Sequence, residues 1–186
     1  STYLIRQADF VACHSFGFIE RVDILSWAKP GATMLLNSPH GPDRTWDRLP
    51  KKVQEELIAK QIKLYVIDAT KTARETGLAG RTNTVLQTCF FAISGVLPRE
   101  KAISEIKESI RHTYGKKGVD VVHKNFAAVD ATLENLHLVE LPAAPSSRLA
   151  MIPVIGAGAP GLISSALEPI IAGRGNDLPV SALPVD

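Results

Sequence analysis

The chain has 186 residues, 45% of them hydrophobic and 22% charged, and carries a formal net charge of +2. That is one domain's worth of sequence, enough to bury an apolar core, and its charge balance gives no electrostatic case for binding nucleic acid or an anionic membrane. No apolar run approaches the roughly 20 residues needed to span a bilayer, and the first residues lack the basic start and apolar middle of a secretory signal. The two cysteines, Cys13 and Cys89, have no partner at metal-ligand or redox spacing; lone thiols fit a reducing compartment. The expectation is a cytoplasmic protein. The start at Ser1 rather than Met is the mark expected of an excised piece or a processed end.

In chain order, Ala8 to His14 is a short apolar run that predicts a buried strand. Ser15 to Gly17 would turn into a helix over Phe18 to Ala28, stopped by Pro30-Gly31. Thr33 to Asn37 predicts a second strand, and Asn37 to Asp43 a turn-rich loop. Pro50 suits a first helical turn, and Leu49, Val53, Leu57, Ile58 and Ile62 recur at helical spacing behind it. Lys63 to Ile67 predicts a third strand, with Asp68 capping a helix from Ala69 to Thr76. The alternation of strand, polar turn and helix predicts a parallel sheet with helices on both faces. Ligands in such folds sit in loops beyond the carboxyl ends of the strands, here His14 to Gly17, Asn37 to Asp43 and Asp68 to Lys71.

The second half reads as helical. Gly77 to Arg81 is a glycine-rich loop, after which Thr82 or Asn83 caps an apolar helix running to Ser94. Pro98 opens a helix with Ile103, Ile106 and Ile110 on one face, and Tyr114 to Gly118 forms a turn. Val119, Val122, Phe126, Val129, Leu133 and Leu136 then make a helical stripe. From Leu141 onward prolines and glycines interrupt the chain, which predicts a linker or extended arm lying on another domain.

Three features invite a chemical reading. The His14 to Gly17 loop either faces a ligand or satisfies its own backbone; such a loop fits any doubly wound sheet. Gly77-Leu78-Ala79-Gly80-Arg81-Thr82-Asn83 is either an anion cradle, with Arg81 as a forked donor above a helix N-terminus, or a flexible interhelical loop. Its spacing is neither the Walker pattern nor G-x-G-x-x-G. A thiol nucleophile is disfavoured: Cys89 lies in an apolar helix beside Phe90 and Phe91, and Cys13 and His14, adjacent on a strand, point to opposite faces. His40, His112, His123 and His137 show no metal-ligand spacing.

Several strings, in order along nearly the whole chain, resemble pyruvate:ferredoxin (flavodoxin) oxidoreductases. They are ADFVACH at Ala8 to His14, LLNSP at Leu35 to Pro39, YVIDA at Tyr65 to Ala69, GRTNTVLQTCFFAISGVLP at Gly80 to Pro98, YGKKG at Tyr114 to Gly118, NFAAVDATL at Asn125 to Leu133 and PIIAGRGNDLPVSALPVD at Pro169 to Asp186. The nitrogen-fixation-associated pyruvate:flavodoxin enzymes fit equally well. The resemblance implies a three-layer α/β/α domain equivalent to the gamma subunit of multi-subunit 2-oxoacid oxidoreductases. That domain would occupy residues 1–141, truncated at its N-terminus, with 142–186 leading as an extended Pro/Gly-rich tail into the next domain. It implies a homodimeric parent that converts pyruvate and coenzyme A to acetyl-CoA and carbon dioxide and passes electrons to ferredoxin or flavodoxin. Thiamine diphosphate and [4Fe–4S] clusters would serve that chemistry on other domains, since the chain has neither a C-x-x-C-x-x-C run nor a thiamine-diphosphate signature.

The resemblance also implies a share in holding coenzyme A, whose phosphates suit glycine-rich turns, helix N-termini and arginine. Ser15, Phe16 and Gly17 are the expected contacts in the first loop, with Phe16 stacking on adenine. Arg81 would pair with phosphate, and Asn83 would fix the turn or bond the nucleotide. The competing readings are a purely structural docking module of the same enzyme and a stand-alone Rossmann-like nucleotide-binding protein. The second of these is disfavoured by the missing glycine fingerprint.

Overall fold

The computed structural model describes residues 7–156, 160–161, 163–172, 175–179 and 181. Its centre is a four-stranded sheet in the order β1-β2-β3-β4. Strands β1 (Ala8–Cys13), β2 (Ala28–Asn37) and β3 (Lys63–Ile67) run parallel, and the two-residue β4 (His137–Leu138) closes the edge antiparallel to β3. Side chains alternate across the strands. Val11 and Cys13, Met34 and Leu36, and Leu64 and Val66 enter one core. Phe10, Leu35, Tyr65 and Ile67 enter the other.

The crossovers β1 to β2 and β2 to β3 run in the same direction across the sheet, and crossovers of one hand put their helices on one face. That face carries α1 (Phe16–Ile19), a 3₁₀ turn at Ile24–Trp27, α2 (Pro42–Arg48) and α3 (Lys51–Ala59). Ile19, Leu25, Trp46, Leu49, Val53 and Leu57 pack there against Met34, Leu36 and Leu64. Each fully buried leucine contributes about 1.5–3 kcal/mol relative to leaving it in water. The opposite face is covered by α4 (Ala69–Glu75), α5 (Asn83–Ile93) and α7 (Val119–Asn135). Helix α6 (Arg99–Tyr114) sits outside them, packing Ile106 and Ile110 on Val129 of α7. The three-layer α/β/α expectation therefore holds.

Four local expectations need correction. The helix expected over Phe18 to Ala28 is instead α1, which starts at Phe16 and stops at Ile19, followed by the 3₁₀ turn. Ile19, Val22, Ile24 and Leu25 all reach the same core, a demand that one short straight helix does not meet. Pro30-Gly31 does not stop a helix but lies inside β2, where Gly31 takes φ +76° and donates its N–H to Lys60 O at 2.7 Å. Ala8 pairs with Ala28 but Phe10 with Thr33, so β2 bulges between them, and Lys29 Nζ spans the bulge to the Asp9 carboxylate at 2.8 Å. The expected loop Asn37 to Asp43 ends early, because Pro42 opens α2 with Asp43 in its first turn and Arg48 in its last. In α7 the expected stripe packs through Val122, Phe126 and Val129 against α6 and through Leu136 against the second core, but Val119 at its start is 68% exposed, and the fully buried line also runs through Asn125, Ala128 and Thr132.

The Pro/Gly-rich tail predicted to lie on another domain instead lies against this one over residues 139–154. Val139 N–H donates to Leu64 O at 2.8 Å, Lys51 N–H to Leu149 O at 2.8 Å, and Ile152 N–H to Glu20 O at 2.7 Å. Fully buried Gln54 accepts from the backbone N–H groups of Ser146 and Ser147 at 2.8 and 2.9 Å and donates to Trp46 O at 2.6 Å. Val139, Leu141, Met151 and Val154 add apolar contacts. Beyond this strap, residues 139–154, a π-helical turn at Ile163–Leu167 leads into α8 (Glu168–Ile171), so the tail is not extended throughout. The match at Pro169 to Asp186 lies partly outside the described residues.

Candidate functional site

The carboxyl ends of β1, β2 and β3 deliver three loops to one edge of the sheet, as the alternating pattern predicts. Asn37, the last residue of β2, ties them together. Its Nδ2 donates to His14 O at 3.0 Å, and its Oδ1 accepts from Ala69 N–H, the first residue of α4, at 2.9 Å. One amide thus holds the first loop to the third, using both ends of a side chain that offers donor and acceptor together. The middle loop is fixed from beneath: buried Ser38 and Thr45 share a hydrogen bond of 2.7 Å between hydroxyls, and His40 N–H donates to Ser38 Oγ at 3.2 Å. Asp68 caps α4 by accepting from Lys71 N–H at 2.8 Å.

Between these loops opens a cleft of about 520 Å³ lined by His14, Ser15, Phe16 and Gly17 on one side and Thr70, Lys71 and Arg74 on the other. A smaller cleft of about 270 Å³ adjoins it through Pro39, Asp68 and Lys71, and reaches His40 and His137. Phe16 is half-buried, packed on the core below and edge-on against His40 with ring centroids 4.8 Å apart. The only carboxylate in the lining of the larger cleft, Asp68, already caps its own helix. Lys71 reaches Glu75 only at 3.9 Å in an exposed pair, an interaction of little worth in water. The cleft is therefore biased toward anions.

Ser15, Phe16 and Gly17 sit together in this cleft, but Arg81 and Asn83 are not part of its lining. Helix α4 carries the chain about 10 Å away from the edge before the Gly77–Arg81 turn begins. Gly77 and Gly80 take φ +75° and +76°, so the glycines are there to let the turn close. Thr82 is the N-cap of α5 without a side-chain capping bond, and Arg81 and Asn83 are exposed. Asn37, Lys71 and Arg74 were missed as individuals. The signal for them was present, since Asn37 and Lys71 terminate two of the loops named from the sequence.

The family model described as pyruvate ferredoxin/flavodoxin oxidoreductase matches residues 1–135. The chain belongs to that family. A pyruvate-flavodoxin oxidoreductase from Rhodospirillum rubrum is 52% identical over 99% of the chain. A putative pyruvate-flavodoxin oxidoreductase from Synechocystis is 51% identical over 100% of it, and a pyruvate:ferredoxin oxidoreductase from Moorella thermoacetica is 41% identical over 100%. The chain spans 15% of the length of the first of these and 16% of the other two. Pyruvate oxidoreductase subunit PORC from Thermotoga maritima shares the fold, with a TM-score of 0.55 over 73% of this chain and 67% of its own, at 18% identity.

The residues of this family member do not suit an iron–sulfur cluster, which takes four thiolate ligands. Cys13 and Cys89 are both buried, and they belong to cores on opposite faces of the sheet. Burial pushes the Cys13 thiol up from its ordinary pKa, against weaker opposing effects of the backbone at Ser15 and Ile19, and the protonated thiol donates to Ser15 O at 3.1 Å. Burial pushes Cys89 up to about 12. Neither is a thiolate near neutral pH, so neither is a ready nucleophile. Among the described residues no group of three or more His, Cys, Asp or Glu side chains is placed to hold a metal ion, and no helix is long and apolar enough to cross a membrane.

Proposed function

We propose that this chain is the gamma-subunit-like part of a pyruvate:ferredoxin or pyruvate:flavodoxin oxidoreductase and that its carboxyl-edge cleft holds coenzyme A. Residues 1–141 form that domain, and 142–186 begin the passage to the next. The reaction served is pyruvate plus coenzyme A giving acetyl-CoA, carbon dioxide, a proton and two electrons, the electrons leaving for ferredoxin or flavodoxin. Thiamine diphosphate and [4Fe–4S] clusters belong to other parts of a cytoplasmic, homodimeric enzyme. This segment positions a substrate and carries out none of the bond changes itself.

The observation that supports the coenzyme A reading is the meeting of Ser15, Phe16 and Gly17 with Lys71 and Arg74 across one cleft whose single carboxylate is already occupied. Diphosphate would face Lys71 and Arg74, Ser15 offers a hydroxyl, and the accessible part of Phe16 with His40 offers an aromatic wall for the base. Arg81 and Asn83, exposed and outside this cleft, contribute at most a minor contact to the same ligand.

The test is titration of coenzyme A into the full-length enzyme carrying Lys71→Ala with Arg74→Ala. Removing two exposed phosphate contacts is expected to raise Kd about tenfold or more and to flatten its salt dependence. An unchanged Kd would leave the structural docking module as the better reading.

A further inference from the structure

On the α2 side of the domain a third open cleft of about 530 Å³, which shares Arg44 with the 270 Å³ cleft, is lined by Arg44, Asp47, Arg48, Ser146, Ser147, Arg148 and Leu149. Arg44 and Arg48 stand one turn apart on α2, so their guanidinium groups share a helix face, where like charges at this spacing repel. Arg148 arrives from the strap, a hundred residues later in the chain. Among the described residues, none of the three pairs with a carboxylate, whereas Lys29, Lys51, Lys107 and Arg111 each do. Asp47, the lone carboxylate in the lining, lies 3.5 Å from the Ser146 hydroxyl.

Arg148 is held there by the strap's own bonds: buried Gln54 grips Ser146 and Ser147, Trp46 Nε1 donates to Ser146 Oγ at 3.0 Å, and Lys51 N–H holds Leu149 O. The backbone that carries Arg148 is thus fixed beside α2, which concentrates positive charge on this part of the surface. The backbone N–H groups of Ser146 and Ser147 are spent on Gln54, and that of Leu149 on Ser147 Oγ at 3.1 Å. The cleft therefore offers chiefly three exposed guanidinium forks, which match carboxylate or phosphate bidentately. Beside them Leu149, 47% exposed, adds an apolar contact that a polypeptide can use and a free phosphate cannot. Arginine with an apolar anchor is the composition of a protein interface.

We propose that this cleft docks an acidic segment of the same polypeptide lying outside these 186 residues. The proposal rests on the reading of the chain as part of a longer oxidoreductase: the chain spans 15% of the length of its Rhodospirillum rubrum relative, so most of the polypeptide available to cover this surface lies elsewhere. A photoreactive benzophenone side chain at position 149 of the full-length protein tests it, with cross-linked peptides mapped by mass spectrometry. The expected products join position 149 to one segment outside the 186 residues that carries at least two Asp or Glu. Their yield is expected to fall about fivefold in Arg48→Glu with Arg148→Glu and to recover when the captured carboxylates are changed to lysine. Cross-links confined to residues 1–186, to a second copy or to a separate protein overturn the proposal, as does an equal yield in the charge-reversed protein or displacement by inorganic phosphate. Trypsin cleavage after Arg148 in the unmodified full-length protein gives a second measurement. Docking predicts cleavage accelerating about fivefold at about 0.5 M salt, and a salt-independent rate overturns it. Coenzyme A affinity of the Arg48→Glu, Arg148→Glu protein separates the two readings, because neither residue lines the carboxyl-edge cleft: lost cross-links with normal coenzyme A binding concern docking alone, and retained cross-links with no coenzyme A binding in the unmodified enzyme concern the cleft alone.

Discussion

The first loop at Ser15–Gly17 and the turn at Gly77–Asn83 look alike as strings, each a small-residue stretch entering a helix, yet they do different work. The first opens at the carboxyl edge of the sheet and shares a cleft with Lys71 and Arg74. The second lies beyond the far end of α4, and its glycines serve positive φ angles that a side chain would strain. A Cβ at Gly80 would meet nothing within 4 Å, so its conformation, not a close neighbour, explains the glycine. A glycine-rich turn becomes a site only when the fold brings complementary groups opposite it.

The sharpest way to break this comparison is at Asn37, the amide joining the first loop to α4. Asn37→Leu removes the bonds to His14 O and Ala69 N–H, and the resulting loss of loop position is expected to weaken coenzyme A binding by the full-length enzyme about 10–30-fold while leaving the core intact. Calorimetric titration alongside a thermal melt reads both quantities; a lowered melt with unchanged affinity would reduce Asn37 to a structural role. A smaller effect is expected at the second turn. Arg81→Ala should change the coenzyme A Kd by less than about twofold, because an exposed guanidinium apart from the cleft contributes little in water. A tenfold loss would move the site to that turn, and an unchanged Kd removes Arg81 from it.

The smallest effect near neutral pH concerns α5, the helix that the second turn opens. If α5 is a core element, Cys89 stays a protonated thiol in the native state, while the unfolded thiol ionises near its ordinary value of 9.0. The native state then binds more protons, so stability is unaffected below about pH 9 and falls as pH rises from there toward about 12. Urea unfolding at a series of pH values should show this decline, and Cys89→Ala should make it shallower, with buried Cys13 contributing to what remains. A decline of equal steepness in the variant would place its cause elsewhere.

Much of this was legible locally. The runs at Ala8, Thr33 and Lys63 are strands because their residues feed two cores by alternation, and the loops following them meet at one edge. Asp68 caps α4 as its position before Ala69 predicts. The bulge in β2 was not legible, since Pro30-Gly31 looks the same in a helix stop and in a strand that bends around Lys60 O. Strand β4 was not legible either, because two residues carry no period and owe their strand character to the exposed edge of β3.

Among the candidate residues, the sequence alone brought forward together Ser15, Phe16 and Gly17, which line one cleft, and it named the family by ordered motifs that the family match bears out. It also determined where the strands and the main helices run, because hydrophobic period and turn chemistry are written within a few neighbouring residues. Only the tertiary structure decided that Lys71 and Arg74, not Arg81, face that first loop, and that the proline-rich strap returns to Gln54 and carries Arg148 to α2. Such pairings depend on crossover direction and on single long-range hydrogen bonds, and neither leaves a periodic trace along the chain.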